Sequence, residues 1–504
     1  MDADQHEQSL DRLPELALLE VLKLLPIKDL LTCRLVCKRL GELAMHPTVW
    51  QEKSWGWGEN HQKLACPVLR LAPCLGRAEG LRSRDGCVHT LSTTRCAVEH
   101  LEIDANVKLS ASALEAAPAV LEVALALQRQ EVLGRLRSLW ITLQPKDTTK
   151  GHDSQLYRTL ALTSRLLETL VVEVMPEARA TPGTECCFEG IQVPSSLKRV
   201  EFYSLRQETA LVDFLLSTHA ATLETVRFHG PASTSTLQLL AGLPRLRELT
   251  CRLQVGLEAL SASESLQVLS IWVKGREEES ASAEAVAGAE SFLRQARQLR
   301  QVSLQCGYGA HSSQFPAALV KALAKGGARS HVEKLCVVCR CDGQQQLERA
   351  LLDALPELPA LRELDLDCCR RRQPQDESHR HEPLDESHES DEPYEQLLRG
   401  LTPATAPALR RLTVVACAHD WTHRPSVKAL LAANPSLQVR VGWRDNISYD
   451  DDLKPLSTCR DCYACKLKCH PELREARYNS HVCFSLKQEL STCPTVHNHS
   501  NLSW

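Results

Sequence analysis

An α/β fold built from repeating strand–helix units is predicted for this chain of 504 residues. A short motif of apolar residues recurs along most of the sequence, and segments with helical character lie between its copies. Leucine is abundant, whereas aromatic residues make up only 4% of the chain. A leucine-rich helical segment precedes the repeats and a cysteine-rich segment follows them, so the sequence predicts three successive parts.

The recurring motif is an apolar residue, two others, an apolar residue, one other and a third apolar residue. One copy means little in a chain that is 43% apolar, but ten copies in register, mostly 20–33 residues apart, predict stacked strands. Strand plus helix at this period is typical of leucine-rich repeats, because a single unit cannot bury its own apolar edge. The β-rich motif cores disfavour a purely helical repeat array. We therefore expect a curved leucine-rich-repeat solenoid over residues 96–445. The clear copies begin at Leu136, Leu167, Leu197, Leu223, Leu246, Leu266, Leu299, Val332, Leu361 and Leu409, with weaker copies at Val98 and Leu437.

The widest gap between copies contains residues 370–393, RRRQPQDESHRHEPLDESHESDEP. This run is charged, is interrupted by prolines and has almost no apolar residues, so a disordered insertion in the solenoid is predicted. Its histidines beside carboxylates are compatible with weak metal binding, but a solvated loop is the favoured interpretation.

The segment 10–50 predicts a module of three short helices. Pro14 suits a first helical position, and Pro26 ends the first helix because it lacks an N–H and clashes with the preceding turn. A unit of this length holds more leucine than it can bury internally, and leftover apolar surface indicates a partner. Residues 51–95 are interpreted as a linker and a cap of the solenoid.

The stretch 13–50, LPELALLEVLKLLPIKDLLTCRLVCKRLGELAMHPTVW, resembles an F-box. The matches are ordered over the whole module, although Leu40 stands where relatives often carry a Trp. The resemblance implies a non-catalytic substrate-recognition subunit of an SCF-type (cullin–RING) ubiquitin ligase. Such a subunit binds the small adaptor and, through it, a cullin, and recruits a target for ubiquitination and proteasomal degradation. The implied adaptor-binding residues are Leu13, Pro14, Leu22, Leu25, Pro26, Leu30, Val36, Cys37 and Trp50.

Residues between the leucines of each motif are expected on the concave face of the solenoid, since alternate strand side chains point to opposite sides. Aromatic and arginine side chains are common at the centres of protein interfaces. Basic residues in neighbouring repeats favour a substrate with an acidic segment. The predicted substrate-binding residues are Trp140, Tyr203, Arg227, His229, Arg252, Trp272, Asp365 and Asp367.

The C-terminal segment 446–504 is rich in cysteine and histidine. Cys459, Cys462, Cys465 and Cys469 follow the spacing of a bacterial ferredoxin cluster, but no second run accompanies them. Zinc is favoured over an iron–sulfur cluster, because thiolates suit its tetrahedral coordination. A tail without metal remains an equal alternative.

Composition excludes several other classes. The net charge of −4 and pI of about 6.6 provide no basic field for nucleic acid, and no apolar run is long enough for a membrane span. The acidic, polar first residues predict no signal peptide, so an intracellular location in cytoplasm or nucleus is expected. Motifs of phosphate-binding loops, serine hydrolases and zinc proteases are absent from the sequence. Two alternatives stay open: a repeat scaffold without a ligase role, and a metal- or redox-sensing receptor.

Overall fold

Parallel strands, most of them followed in the chain by a helix, make up most of this computed structural model. The structure describes residues 13–56, 62–82, 86–105, 113–143, 150–174, 188–204, 209–273, 282–307, 315–327, 330–339, 344–367, 394–415, 425–442, 481–490 and 499–503. It divides into two compact units, residues 1–246 and 247–504.

Four short helices open the first unit. They are α1 (Glu15–Leu24), α2 (Ile27–Cys33), α3 (Lys38–Ala44) and α4 (Pro47–Trp50). Pro14 and Pro26 immediately precede α1 and α2, as their fixed φ and missing N–H favour. The fourth helix was not predicted; it is a single turn that begins with Pro47, and the His46 ring accepts from the backbone N–H of Thr48.

The sheet of the first unit consists of parallel strands within the described residues. Its strands are β1 (Ser54–Trp55), β2 (Cys74–Arg82), β3 (Ala97–Asp104), β4 (Ser138–Leu143), β5 (Thr169–Val174), β6 (Arg199–Ser204) and β7 (Thr225–Phe228). The helices between them are α5 (Gln62–Leu71), α6 (Cys87–Thr93), α7 (Ala113–Leu133), α8 (Lys150–Thr163) and α9 (Thr209–Thr218), and α10 (Thr234–Ala241) follows β7.

The second unit repeats the arrangement. Its strands are β8 (Glu248–Arg252), β9 (Val268–Val273), β10 (Gln301–Cys306), β11 (Lys334–Cys339), β12 (Glu363–Asp367), β13 (Arg411–Val415) and β14 (Gln438–Gly442), followed by antiparallel β15 (His481–Leu490) and β16 (His499–Ser503). Its helices are α11 (Ala283–Gln295), α12 (Phe315–Ala324), α13 (Gln344–Ala354), α14 (Glu395–Gly400) and α15 (Pro425–Ala433), with a 3-10 turn at Leu257–Ala262.

Leucines of the motif form continuous buried rows because the strands pair in register. Leu139 pairs with Leu170, which pairs with Val200, and all three side chains are buried. In the second unit Leu269, Val302 and Leu335 form the equivalent row. Every motif copy recognised in the sequence holds a strand, so the predicted α/β fold of strand–helix repeats is confirmed.

Residues 51–95 contain two strands that the motif did not reveal. In β2 the buried row is held by Leu75, Ala78 and Leu81, and the pairing with β3 shifts between Ala78 and Leu81. A small alanine and an altered spacing therefore replace the usual motif, which explains why the pattern was missed. The sheet begins at Ser54 rather than at the first recognised repeat.

Two predicted features lie outside the described residues. They are the charged insertion at 370–393 and the cysteines Cys459, Cys462, Cys465 and Cys469. Among the residues that are described, no helix combines the length and apolar character needed to cross a membrane.

Candidate functional site

The N-terminal helices are fastened to the sheet by the segment that follows them. The Lys53 ammonium donates to the carbonyl of Leu25 at 2.7 Å and also to the carbonyl of Lys23. The Lys53 carbonyl in turn accepts the N–H of Gly76 in β2 at 3.0 Å. A Cβ at Gly76 would lie 2.6 Å from the backbone oxygen of Gln51, so only glycine permits this approach. The helical module and the first strands thus form a continuous structure.

The interior of the module is complete without any partner. Trp50 is fully buried, and its indole N–H donates to the carbonyl of Ala44 at 2.6 Å. Leu18, Leu22 and Leu30 are also buried in the same module. This interior explains the folding role of the leucine-rich segment, because burial of each side chain contributes roughly 1.5–3 kcal/mol.

A second group of apolar side chains faces outward. Leu16 and Leu24 on α1 are 78% and 84% exposed, and Leu35 and Val36 between α2 and α3 are 80% and 65% exposed. Pro14 is exposed as well. Isolated exposed leucines are ordinary, but several at this exposure within one small module indicate an interaction surface.

The nine predicted adaptor-binding residues divide between these two groups. Leu22, Leu30 and Trp50 lie in the interior, so they support the surface from below and do not form it. The others line the outside: Pro14, Pro26, Val36 and Cys37 are exposed, and Leu13 and Leu25 are half-buried. Leu16, Leu24 and Leu35 belong to the exposed group but were missed in the sequence. For the six outer residues, a role as adaptor contacts stays a prediction.

Cys37 has a local structural role as well. Its sulfur accepts the backbone N–H of Leu40 at 3.4 Å and so caps the beginning of α3. Such capping satisfies one of the helix N–H groups that has no partner within the helix.

On the sheet of the first unit, Trp140 is the most exposed of the predicted substrate-binding aromatics. Its side chain is 45% exposed, and in the ladder it lies between Glu102 of β3 and Val171 of β5. Leaving a large apolar ring in water is unfavourable, and tryptophan is enriched at the centres of interfaces. Trp140 is therefore the strongest candidate for an anchor on this face.

A polar cluster surrounds Tyr203 two strands away. The Tyr203 ring stacks on His229 with 4.2 Å between ring centroids, and its hydroxyl donates to the buried carboxylate of Glu201 at 2.8 Å. Arg199 also donates to Glu201 at 2.6 Å, and Arg227 lies 3.5 Å from the same carboxylate. Two arginines thus share one buried carboxylate, and the three groups together carry a net charge of +1.

Burial and this cluster shift two pKa values. Burial, followed by the hydrogen bond to Glu201, raises the pKa of Tyr203 to about 12. Burial lowers the pKa of His229, although the Glu201 charge opposes that shift. Both rings are therefore uncharged at neutral pH and form a neutral aromatic stack.

The second unit holds the other predicted residues. Arg252 and Trp272 are paired neighbours in β8 and β9 and are half-buried. Asp365 accepts a hydrogen bond from Lys334 at 3.0 Å. Burial lowers the pKa of Lys334, but Asp365 and Glu363 together outweigh burial, so the pKa is raised. Asp367 is buried and does not contribute to the surface as was expected. Asp367 is the last residue of β12.

No group of three or more histidine, cysteine or acidic side chains that would suit a metal occurs in the described part of the chain. The predicted zinc ligands fall outside that part, so the metal hypothesis remains a sequence prediction.

Comparison with known proteins identifies the helical module. Residues 10–52 match the family model described as F-box domain. The chain therefore carries an F-box domain, and behind it a repeat region of leucine-rich type. F-box domains in general indicate a non-catalytic adaptor role in SCF-type ubiquitin ligases, through the small adaptor subunit and a cullin.

A search of curated proteins gave no match. Among solved structures, the chain is similar to one in the crystal structure of a TLR13–ssRNA13 complex. That match has 11% sequence identity and a TM-score of 0.29, and it covers 75% of this chain and 55% of the other. This chain thus spans only about half the length of the protein that it matches.

Proposed function

We propose that this protein is the substrate-recognition subunit of an SCF-type ubiquitin ligase. In this role the F-box binds the adaptor through its exposed apolar side chains, and the repeat sheet binds a target protein for ubiquitination and degradation. The single observation that carries the proposal is the outward-facing apolar group, Leu16, Leu24, Leu35 and Val36, on a module whose interior is already filled. Side chains that folding does not require are available for a partner.

The joint between module and sheet supports the same role. A receptor of this kind performs no covalent chemistry and acts by holding its target near the ligase, which raises the effective concentration of a target lysine. The bonds from Lys53 to Leu25 and from Gly76 to Lys53 keep the F-box fixed relative to β2. A target bound on nearby strands would therefore be presented in a defined position.

For the target itself, we propose a contact centred on Trp140 and the Tyr203–His229 pair. The exposed Trp140 ring and the stacked Tyr203–His229 pair favour an aromatic contact, and the excess positive charge of Arg199 and Arg227 over Glu201 suits the acidic segment expected from sequence. Such a role places the protein in the cytoplasm or nucleus, as the sequence predicts.

The decisive experiment titrates purified adaptor subunit into the full-length protein and into a Leu13→Ala, Pro14→Ala double variant. Both positions lie at the beginning of α1 outside the filled interior, so the fold should persist while adaptor binding is lost. A Leu121→Ala variant serves as a control, because Leu121 is an exposed leucine on α7, away from the module. Binding that is unchanged in the double variant would remove the central claim.

The alternative function is a repeat scaffold whose helical module only caps the sheet. The same bonds at Lys53 would serve such a cap. Failure of the native protein to bind adaptor at high concentration, together with a normal unfolding transition, would favour that function.

A further inference from the structure

Two thiols touch each other next to the joint between the F-box and the sheet. The sulfur of Cys66, in α5, lies 3.6 Å from the sulfur of Cys87, the first residue of α6. Both cysteines are reduced in the structure. Cys66 is half-buried, whereas Cys87 is buried. The pair therefore consists of one thiol that solvent reaches and one that is shielded behind it.

We propose that Cys66 and Cys87 form a reversible disulfide when the protein meets a peroxide, and that this bond stiffens the strand–helix unit to which the F-box is attached. The inference goes beyond adaptor binding and does not depend on it.

The reaction proceeds in two balanced steps. The Cys66 thiol first reduces a peroxide: it becomes a sulfenic acid, and hydrogen peroxide is converted to water. The Cys87 sulfur then attacks the Cys66 sulfur, the S–O bond breaks, and a second water leaves with the thiol proton. Two thiols have lost two electrons and two protons to one peroxide. A thiol-containing reductant reverses the bond by exchange.

Exposure assigns the order of these steps. Cys66 is the thiol that a small oxidant can reach, and Cys87 is positioned to resolve the sulfenic acid before further oxidation. Forming the bond requires the sulfurs to approach from 3.6 Å to the S–S length of about 2 Å, a movement that side-chain rotation supplies in part.

Other described cysteines lack this combination. Burial raises the pKa of Cys251 to about 12, and burial likewise raises the pKa of Cys96 to about 12. A buried thiol that stays protonated is a poor first target for a peroxide, which is the role assigned to Cys66. Cys33 is half-buried like Cys66, but no contact with a second sulfur is found for it among the described residues.

The position of the pair determines the consequence. Helix α5 precedes β2 and α6 follows it, so the disulfide would close a covalent ring that includes β2. That strand holds the F-box through the Gly76 N–H and through the Cys74 thiol, which lies 3.5 Å from the carbonyl of Pro47. A cross-link removes conformations from the unfolded chain and so stabilises the folded ring.

The test treats reduced full-length protein with graded hydrogen peroxide and then alkylates the remaining thiols. Proteolysis and mass spectrometry locate the linked peptides. We expect a Cys66–Cys87 link as the first disulfide, its loss on reduction with dithiothreitol, and a higher unfolding temperature for the oxidised protein. In Cys66→Ser the link and the temperature shift should both disappear, whereas a matched Cys33→Ser variant should retain them.

Several results would overturn the proposal. One is that Cys66 is alkylated, or converted to sulfinic acid, while Cys87 stays a thiol. Another is that Cys66 pairs with other cysteines as readily as with Cys87. A third is a link that forms without any change in unfolding temperature, which would remove the stiffening. Adaptor binding, measured separately under reducing conditions, decides the proposed function whatever the outcome here.

Discussion

Lys53 reaches across the end of helix α1 and donates to the carbonyl of Leu25 at 2.7 Å. The last carbonyls of a helix have no partner within the helix, so an ammonium at this point satisfies them and interacts favourably with the helix dipole. Lys53 is half-buried where it makes this contact, and burial lowers the pKa of its ammonium. One residue therefore bonds the carbonyls at the C-terminal end of the first F-box helix and also joins the module to β2.

We expect Lys53→Met to destabilise the module, because it keeps the aliphatic stem and removes all three donors. The loss should be about 1–3 kcal/mol in free energy of unfolding, since the helix carbonyls would be left unpaired. Chemical denaturation of the full-length protein measures it. Lys28→Met, at an exposed position of α2, provides the control. Equal effects of the two substitutions would show that the contact with Leu25 contributes nothing.

Trp50 should be the most important single side chain for folding of the F-box. It is fully buried and its indole N–H is bonded to the carbonyl of Ala44, so Trp50→Ala should cost about 3–5 kcal/mol. The matched comparison is Trp140→Ala, which removes the same side chain from a half-exposed position and should leave the unfolding midpoint nearly unchanged. Denaturation of both variants checks the contrast. A similar loss for Trp140→Ala would mean that Trp140 is a core residue and not an anchor.

The strands were predictable from sequence because the motif leucines are physically required at each repeat. Their register follows from the same requirement: every buried row must align, or the apolar edges would face water. The sequence could not show which leucines of the F-box point inward. Leu22 and Leu25 lie three positions apart, on one helical stripe, yet Leu22 is buried and Leu25 is half-buried. Only the packing of α3 and α4 against α1 decides between them.

Aligning successive repeats with each other predicts which side chains lie next to Arg227 on the sheet. Arg227 and Glu201 occupy the same position of successive motifs, and the parallel register places them side by side. Their pairing was thus predictable. The same offset continues one residue beyond β7, where the His229 N–H donates to the carbonyl of Phe202 at 2.8 Å and the His229 ring stacks on Tyr203. Alternation of side chains along the strand predicts an exposed Asp367. The exposure of a side chain at the end of a strand also depends on the segments that pack over it, and Asp367 is buried.

The exposed pair Leu35 and Val36 offers a test of the F-box surface that leaves its interior intact. We expect a Leu35→Asp, Val36→Asp double variant to weaken adaptor binding at least about tenfold, or ~1.4 kcal/mol, because two carboxylates would be buried in an apolar contact. Isothermal titration with purified adaptor measures the change. Leu121→Asp on α7 adds a similar charge at an exposed leucine elsewhere and should have no effect on binding. Unaltered affinity in the double variant would place the adaptor contact elsewhere on the module.

His219 should make the first unit sensitive to acid. The residue is fully buried after α9, where its Nδ1 accepts the N–H of Ser196 at 3.1 Å and its Nε2 lies 2.9 Å from the hydroxyl of Ser164. Because Nδ1 accepts, the proton of the neutral ring is on Nε2, which donates to Ser164. Burial lowers the pKa of His219 to about 4, against 6.5 for the free side chain.

The direction of the pH effect follows from proton linkage. Between pH 6.5 and 4 the unfolded chain binds a proton at His219 that the folded protein excludes, so unfolding is favoured as pH falls. The contribution of His219 to stability is fully present above pH 6.5 and declines by at most about 1.4 kcal/mol per pH unit toward pH 4.

Carboxylates titrate in the same range, so the informative quantity is the difference in unfolding free energy between native protein and His219→Phe. That difference should shrink from pH 7 to pH 4.5 in denaturant titrations, since the variant has no ring nitrogen to protonate. A difference that is constant over this range would show that His219 accepts its proton in the folded state as easily as in the unfolded one.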